Sequence, residues 1–348
     1  MSCLYVHESG AVISVAGGYF CVKQKNGLVR RRPQELLESI TIFGNSSITT
    51  PCMQECLRRG ITLNYFSGKG AYYGKLSSTR HVNGERLKSQ IYACDDPVFC
   101  LTMAKRIVTA KIHNQCVILR RYRRNRMSDI DNDEIKAMKQ LEHRVERAQK
   151  IDELMGIEGM AARTYFSGLS ALVRPEFAFE GRNRQPPRDA FNAMLSLGYT
   201  LLMYEIYAEI ENRGMNPYIG FCHQLHSGHP ALASDLMEEW RAVVVDSVVM
   251  SLVQGNEIQP EHFEPDEETG GILLTAQGMR IFIRKMEGKF ESPSQYLKDV
   301  STSLRRCFYL QSVDFTKAVA ERHASLYQPV IIRSRGDKYE RQSRLFRY

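Results

Sequence analysis

The segment from Gly220 to Arg241, GFCHQLHSGHPALASDLMEEWR, gathers an imidazole and several carboxylates beside a Gly- and Pro-containing loop. Imidazole nitrogen and carboxylate oxygen together suit divalent metal chemistry. His223 precedes the loop, and Asp235 and Glu238 lie three residues apart at what reads as the start of a long amphipathic helix. That spacing places both carboxylates on one helical face. It also describes a capping box, and His223 beside Phe221 and Cys222 also suits a half-buried histidine with one hydrogen-bond partner. His226 and His229 complete an H-x2-H-x2-H string, but no cysteine pair finishes a tetrahedral zinc site, and both read as loop residues.

A further carboxylate stands in GIEGMAARTYF, where Glu158 lies between Gly156 and Gly159 at an expected helix start. Alone it reads as a favourable partner of the helix dipole. In the company of a histidine and a second carboxylate it becomes part of an open oxygen-rich site for Mg²⁺ or Mn²⁺, with the remaining positions left to water and substrate oxygens.

The charge pattern points to a polyanion. The chain of 348 residues carries a formal net charge of +8, which favours acidic partners. Arg120, Arg121, Arg123, Arg124 and Arg126 cluster, Arg30 to Arg32 form a smaller run, and Arg182, Arg184 and Arg188 sit in GRNRQPPRDAFN. A solvated face is the usual fate of such runs, whereas a nucleic acid would use them as phosphate contacts that supply affinity and little sequence information.

The elements that must position these groups change character at about residue 90. Before it, AVISVA, YFCVK, LVR and SITIFG alternate around Gly17-Gly18 and Asn26-Gly27, which predicts antiparallel strands. A helix is expected over 51–59 with Gly60 closing it, then a strand at ITLNYF and a hairpin at GKGAYYG. Beyond residue 90 the period is helical, with helices expected over 97–120, 133–156, 158–172, 189–213, 235–252 and 292–326. The reading is α+β: a small antiparallel β domain (1–90), a larger all-α domain (91–330) and a basic tail (331–348).

No run of about 18 apolar residues indicates a membrane span, and the N-terminus MSCLYVHESG lacks the pattern of a secretion signal. Nine cysteines without a repeating framework suit a reducing cytosol, so a cytoplasmic location is expected. Cys52 and Cys56 read as buried thiols rather than metal ligands.

The stretches GIEGMAARTYF, RNRQPPRDAFNAMLSLGY, NPYIGFCH and DLMEEWR, in this order and spacing, resemble the CRISPR-associated endonuclease and integrase family of spacer acquisition. ESITIFGNSSIT and GITLNYFSGKGAYYGKL resemble its β domain, so the likeness spans about residues 1–330. Cys222 departs mildly from a commonly aliphatic position, and the tail matches no motif of the family.

The resemblance implies a metal-dependent enzyme of antiviral defence. It would insert prespacer DNA at the leader-repeat end of a CRISPR array by 3′-hydroxyl attack on a phosphodiester, and would also cut branched DNA. It implies Glu158, His223 and Glu238 as catalytic metal ligands, with Asp235 as support that accepts from the imidazole. Tyr165 and Tyr199 are expected near the site as supporting groups, and Arg163, Arg182, Arg184, Arg188, Arg120 and Arg124 as DNA contacts. Expected partners are double-stranded DNA, a second copy of the chain joined through the β domain, and a small ferredoxin-like CRISPR-associated protein in a heterohexamer. A stand-alone nuclease of branched DNA would use the same three ligands, whereas a silent DNA-binding scaffold would need none of them.

Overall fold

The computed structural model describes residues 2–124, 133–296 and 300–332. Arg126 and the basic tail beyond residue 332 lie outside them. The chain divides into Met1–Val82 and Asn83–Tyr348.

The first unit holds strands β1 (Ser2–Val6), β2 (Val12–Ala16), β3 (Tyr19–Lys23), β4 (Val29–Pro33), β5 (Leu37–Phe43) and β6 (Ser47–Ile48), helix α1 (Thr50–Arg59), and strands β7 (Thr62–Phe66) and β8 (Tyr72–Leu76). They form two four-stranded sheets, ordered β1-β5-β7-β8 and β4-β3-β2-β6. The hairpins β2-β3, β3-β4 and β7-β8 are antiparallel, as the Gly-rich turns predict. The sheets are nevertheless mixed, because β1-β5, β5-β7 and β2-β6 pair in parallel. Parallel neighbours need a crossover, and α1 supplies one between β5 and β7. Gly60 ends α1 at φ +74°, a left-handed position that favours glycine, and its N–H reaches the carbonyls of Cys56 and Leu57. Cys52 and Cys56 are wholly buried among Ile13, Phe20, Ile40 and Leu63.

The second unit begins earlier than the change of period at residue 90. Helix α2 (Gly84–Cys94) belongs to it, opened by Asn83, whose side chain accepts from the Arg86 N–H. Gln90 on α2 pins the chain ahead of His223: its amide donates to the carbonyls of Asn216 and Ile219, each at 2.8 Å.

Helices α3 (Pro97–Arg124), α4 (Asp133–Arg147) and α5 (Ile151–Ser170) pack on one another, followed by α6 (Ala190–Asn212) and α7 (Ala231–Met237). A π-helical stretch, Ala242–Asp246, leads into α8 (Ser247–Gln254), and α9 (Ala276–Glu291) and α10 (Leu304–Ala320) complete the set. Two small hairpins, β9 (Phe263–Pro265) with β10 (Ile272–Leu274) and β11 (Pro293–Tyr296) with β12 (Val300–Ser303), interrupt a unit expected to be all-α.

Four helix expectations change. The segment 133–156 is not one helix, because the chain leaves α4 after Arg147 and Glu153 accepts from the Gln149 N–H to open α5. Glu158 therefore sits inside α5, whose first turn carries Asp152 and Glu153 instead. The segment 235–252 starts earlier, at Ala231, and breaks at residues 238–240 before the π-helical stretch. The segment 292–326 opens as the β11-β12 hairpin and turns helical only at Leu304, where Ser303 caps α10 by accepting from the Arg306 N–H.

Glu239 and Asp246 are carboxylates buried in this core, and among the described residues no Lys, Arg or His forms an ion pair with either. Glu239 accepts from the Tyr327 hydroxyl and the Val330 N–H, and burial pushes its carboxyl up to about 8 against those bonds. Asp246 accepts from Tyr165 at 2.8 Å and Tyr199 at 2.5 Å, and burial raises it to about 6. A folded-state value above the unfolded one means that the fold holds a proton that the unfolded chain releases. Stability from Glu239 is therefore complete below about pH 4.5 and is lost as pH rises towards 8, on the order of 5 kcal/mol. Melting temperatures measured from pH 5 to 8.5 should fall less steeply in Glu239→Gln than in the parent chain, and parallel curves would contradict the assignment.

Candidate metal centre and nucleic-acid cleft

The site is assembled from three helices and one loop. Glu158 projects from α5, Lys111 from the middle of α3 and Glu238 from the residue that caps α7. His223 comes from the loop that follows α6. The Lys111 ammonium bonds Glu158 Oε1 and lies 2.6 Å from Glu238 Oε2, so it joins the two carboxylates. Arg241, one helical turn past Glu238, approaches Glu238 Oε1 at 3.2 Å, and His223 Nε2 faces the same oxygen at 3.9 Å.

Asp235 holds the imidazole in place. Wholly buried, it accepts four hydrogen bonds: Oδ2 from the N–H of Phe221 (2.6 Å) and Cys222 (3.0 Å), Oδ1 from the N–H of His223 (3.0 Å) and from His223 Nδ1 (2.7 Å). The approach is so close that a Cβ at Gly220 would lie 2.8 Å from Asp235 Oδ2, and only glycine leaves that path clear. Asp235 is thus neither a helix cap nor a free ligand. Its carboxylate is spent on shaping the loop and on fixing the proton at Nδ1, which leaves the Nε2 lone pair directed at Glu238.

Electrostatics follow from this packing. Burial alone would raise the Glu238 carboxyl, but Arg241, Lys111 and His223 outweigh it and hold it down at about 2. Burial would lower His223, but the hydrogen bond and charge of Asp235 carry it upward. Lys111 is likewise raised by Glu238 and Glu158 against its own burial. Glu238 Oε2 is buried and faces the Lys111 ammonium at 2.6 Å. Two carboxylates bridged by one lysine, with an imidazole nitrogen beside the second of them, are oxygen and nitrogen donors of the kinds that Mg²⁺ or Mn²⁺ accept.

Among the described residues, the three potential ligands whose atoms all lie within 4.8 Å of one another are Cys222, His223 and Asp235. They fit a metal poorly, because the Asp235 oxygens are already engaged and burial pushes the Cys222 thiol well up. His226 and His229 remain on the loop, the His229 ring 6.0 Å from that of His223.

A cleft of about 850 Å³ opens onto Glu158, and Arg163, Arg182, Arg184 and Arg241 line it. Arg163 and Arg184 are exposed, while Arg182 is held by Asn192 Oδ1 and Ser196 Oγ, each at 3.0 Å. Arg188, Arg120 and Arg124 do not line this cleft. Arg120 and Arg124 lie near the C-terminal end of α3, whereas Arg123 in the same run is buried against Glu134. Tyr199 lines the cleft, but its hydroxyl is taken by Asp246, and the guanidinium groups of Arg241 and Arg182 lie 5.1 and 5.4 Å from its ring centre. Tyr165 bonds the other oxygen of Asp246 from within the core, so both tyrosines act through Asp246.

Lys111, Arg241 and Asp246 were missed as site residues by sequence reasoning. Each had a signal: Lys111 interrupts the apolar stripe of α3 one turn from Ile107, Asp246 interrupts the run VVVDSVV, and Arg241 ends the quoted DLMEEWR motif. Removing Lys111 leaves Glu158 without its ion-pair partner and Glu238 with Arg241 and His223 alone, so Lys111→Met should cost the metal-free protein about 3 kcal/mol. Thermal melts with and without Mn²⁺ test this. A larger Mn²⁺-dependent rise in the variant is expected, and equal melting of the two metal-free proteins would refute the ion-pair role.

The chain is similar to known proteins over most of its length. The family described as CRISPR associated protein Cas1 matches residues 4–288. A CRISPR-associated endonuclease Cas1 from Mycobacterium tuberculosis is 39% identical over 295 residues, covering 85% of this chain and 86% of that protein. The structure of a CAS1 protein from Thermotoga maritima aligns with a TM-score of 0.78 at 23% identity, over 91% of this chain and 97% of that one, which shows a shared fold. A chain of a Cas6-RT-Cas1–Cas2 complex aligns with a TM-score of 0.80 at 26% identity, over 94% of this chain and 36% of that longer one. The chain belongs to the Cas1 family of CRISPR-associated proteins.

Proposed function

We propose that this protein is a metal-dependent DNA endonuclease and strand-transfer integrase of CRISPR adaptation, with Mg²⁺ or Mn²⁺ held by Glu158, His223 and Glu238. The observation that carries the reading is the Lys111 ammonium joining Glu158 and Glu238, with His223 Nε2 3.9 Å from the other oxygen of Glu238, beside an arginine-lined cleft that opens onto Glu158. When bound, the metal supplies positive charge that lowers the pKa of an attacking hydroxyl and offsets charge growing on the phosphate. Arg163 and Arg184, exposed on the cleft wall, hold the phosphodiester backbone, and Arg182 and Arg241 add charge behind it. Asp235 keeps His223 in the tautomer that leaves Nε2 unprotonated.

The name Cas1–Cas2 carried by a structural neighbour supports a small Cas2-type partner for this chain. Assembly as a homodimer through the strand-rich unit, within a heterohexamer, would set two active sites a fixed distance apart, which a single copy cannot do.

The test incubates the protein with a prespacer duplex and a supercoiled plasmid carrying a repeat, with Mn²⁺, with and without the small partner. Partner-dependent strand transfer is expected. Cleavage with no transfer under any condition would instead support the stand-alone nuclease.

A further inference from the structure

A second concentration of positive charge lies in the helical unit, in a cavity of about 720 Å³ that shares no lining residue with the metal-centre cleft. Arg121 at the end of α3 and Arg284, Lys285 and Lys289 on α9 line it. These α9 positions fall on one helical face, and Gly288 places no side chain among them. Glu257 is the one carboxylate in the lining, and it is already paired with Lys285. Among the described residues, no salt-bridge partner is found for Arg121, Arg284 or Lys289.

Burial, with Arg121 nearby, pulls the Lys289 ammonium down to about 8. Arg121 and Arg284 are exposed at the cavity and Lys289 is half-buried, so the cost of desolvation falls on the Lys289 ammonium, and a bound anion offsets it. The lining also offers the Ser251 hydroxyl as a donor, and Val248 and Ile281 as apolar wall. The charge continues past the cavity to exposed Arg124. A track of this kind suits a chain of phosphates better than a single carboxylate.

We propose that this cavity is a second phosphodiester-binding site, which holds a DNA strand apart from the metal centre; the proposal rests on the reading of the chain as a DNA-acting enzyme. It sets the path of the substrate over the helical unit and contributes to affinity without contributing to the chemical step.

The experiment uses the full chain and the double variant Lys289→Gln/Arg284→Gln, with a labelled duplex of arbitrary sequence and no divalent metal. Fluorescence anisotropy gives Kd over a range of KCl concentrations. Two lost phosphate contacts are expected to flatten the log–log salt slope by about 1–2 and to weaken binding roughly tenfold near physiological salt. The variant should melt at or above the temperature of the parent chain, because the unpaired charge is gone. If it does not fold, Lys289→Gln alone should flatten the slope by about 1.

Steep salt dependence in the parent chain with an unchanged slope in the variant overturns the cavity proposal and leaves the enzymatic reading standing. No salt-dependent DNA binding by the parent chain overturns both. A variant that keeps the DNA slope but loses binding to a labelled oligoglutamate peptide assigns the cavity to an acidic protein segment instead, which also overturns the proposal.

Discussion

Glu238→Gln is expected to abolish strand transfer and Mn²⁺ binding together, with the rate falling by at least about a thousandfold, equivalent to roughly 4 kcal/mol of the barrier. The substitution keeps the shape and removes the charge. Glu238 is the carboxylate that Arg241, Lys111 and His223 hold at about 2, so it is ionised throughout the working range of pH. Glutamine offers one neutral oxygen where the site presents two charged ones, and its amide N–H₂ would face either Lys111 or Arg241, both donors. Isothermal titration with Mn²⁺ and a transfer assay on the same preparation read the two effects. Loss of transfer with undiminished Mn²⁺ affinity would remove Glu238 from the ligand set.

Asp235→Asn is expected to have the second largest effect, although this residue touches no substrate. Each carboxylate oxygen accepts two hydrogen bonds, and an amide can replace only one oxygen without turning N–H₂ against the N–H groups of residues 221–223. The cost is about 2–4 kcal/mol of stability, with Mn²⁺ affinity lower by about 10–100-fold because the imidazole loses its orienting partner. The pH dependence separates positioning from simple unfolding. Asp235 raises the His223 pKa, and a metal must compete with that proton, so the pH midpoint of Mn²⁺ binding should move down in the variant even as the maximal affinity falls. An unchanged midpoint in a folded Asp235→Asn protein would show that Asp235 does not act through His223.

Much of this arrangement was legible in the sequence because it depends on local chemistry. Gly60, Gly17-Gly18 and the alternating runs around them specify the hairpins and α1 through backbone conformation alone, and Asp189 caps α6 as its position suggests. The pairing of β5 with β7 was not legible, since parallel register arises from a crossover and not from the alternation of either strand. Glu158, His223 and Glu238 were singled out by type, spacing and family resemblance. The place of Glu158 deep in α5 was hidden by flanking glycines that look like a helix boundary. Lys111 was hidden for a different reason: a lysine in an apolar helix gains meaning only when tertiary packing sets two carboxylates from other helices against it. Similarly, Asp235 and Glu238 read as a helix start because three-residue spacing is common to caps and to catalytic faces. The bonds that Asp235 makes to the preceding loop connect residues 12 to 14 positions apart, beyond any local pattern.

The most direct measurement is anomalous diffraction from crystals of this protein soaked in Mn²⁺. One strong peak is expected within coordination distance of Glu158, Glu238 and His223 Nε2, with the Lys111 ammonium displaced from between the two carboxylates and Asp235 still bonded to His223 Nδ1. A peak seated instead on Cys222 and Asp235, or no peak near Glu158 at saturating Mn²⁺, would contradict the metal centre described above.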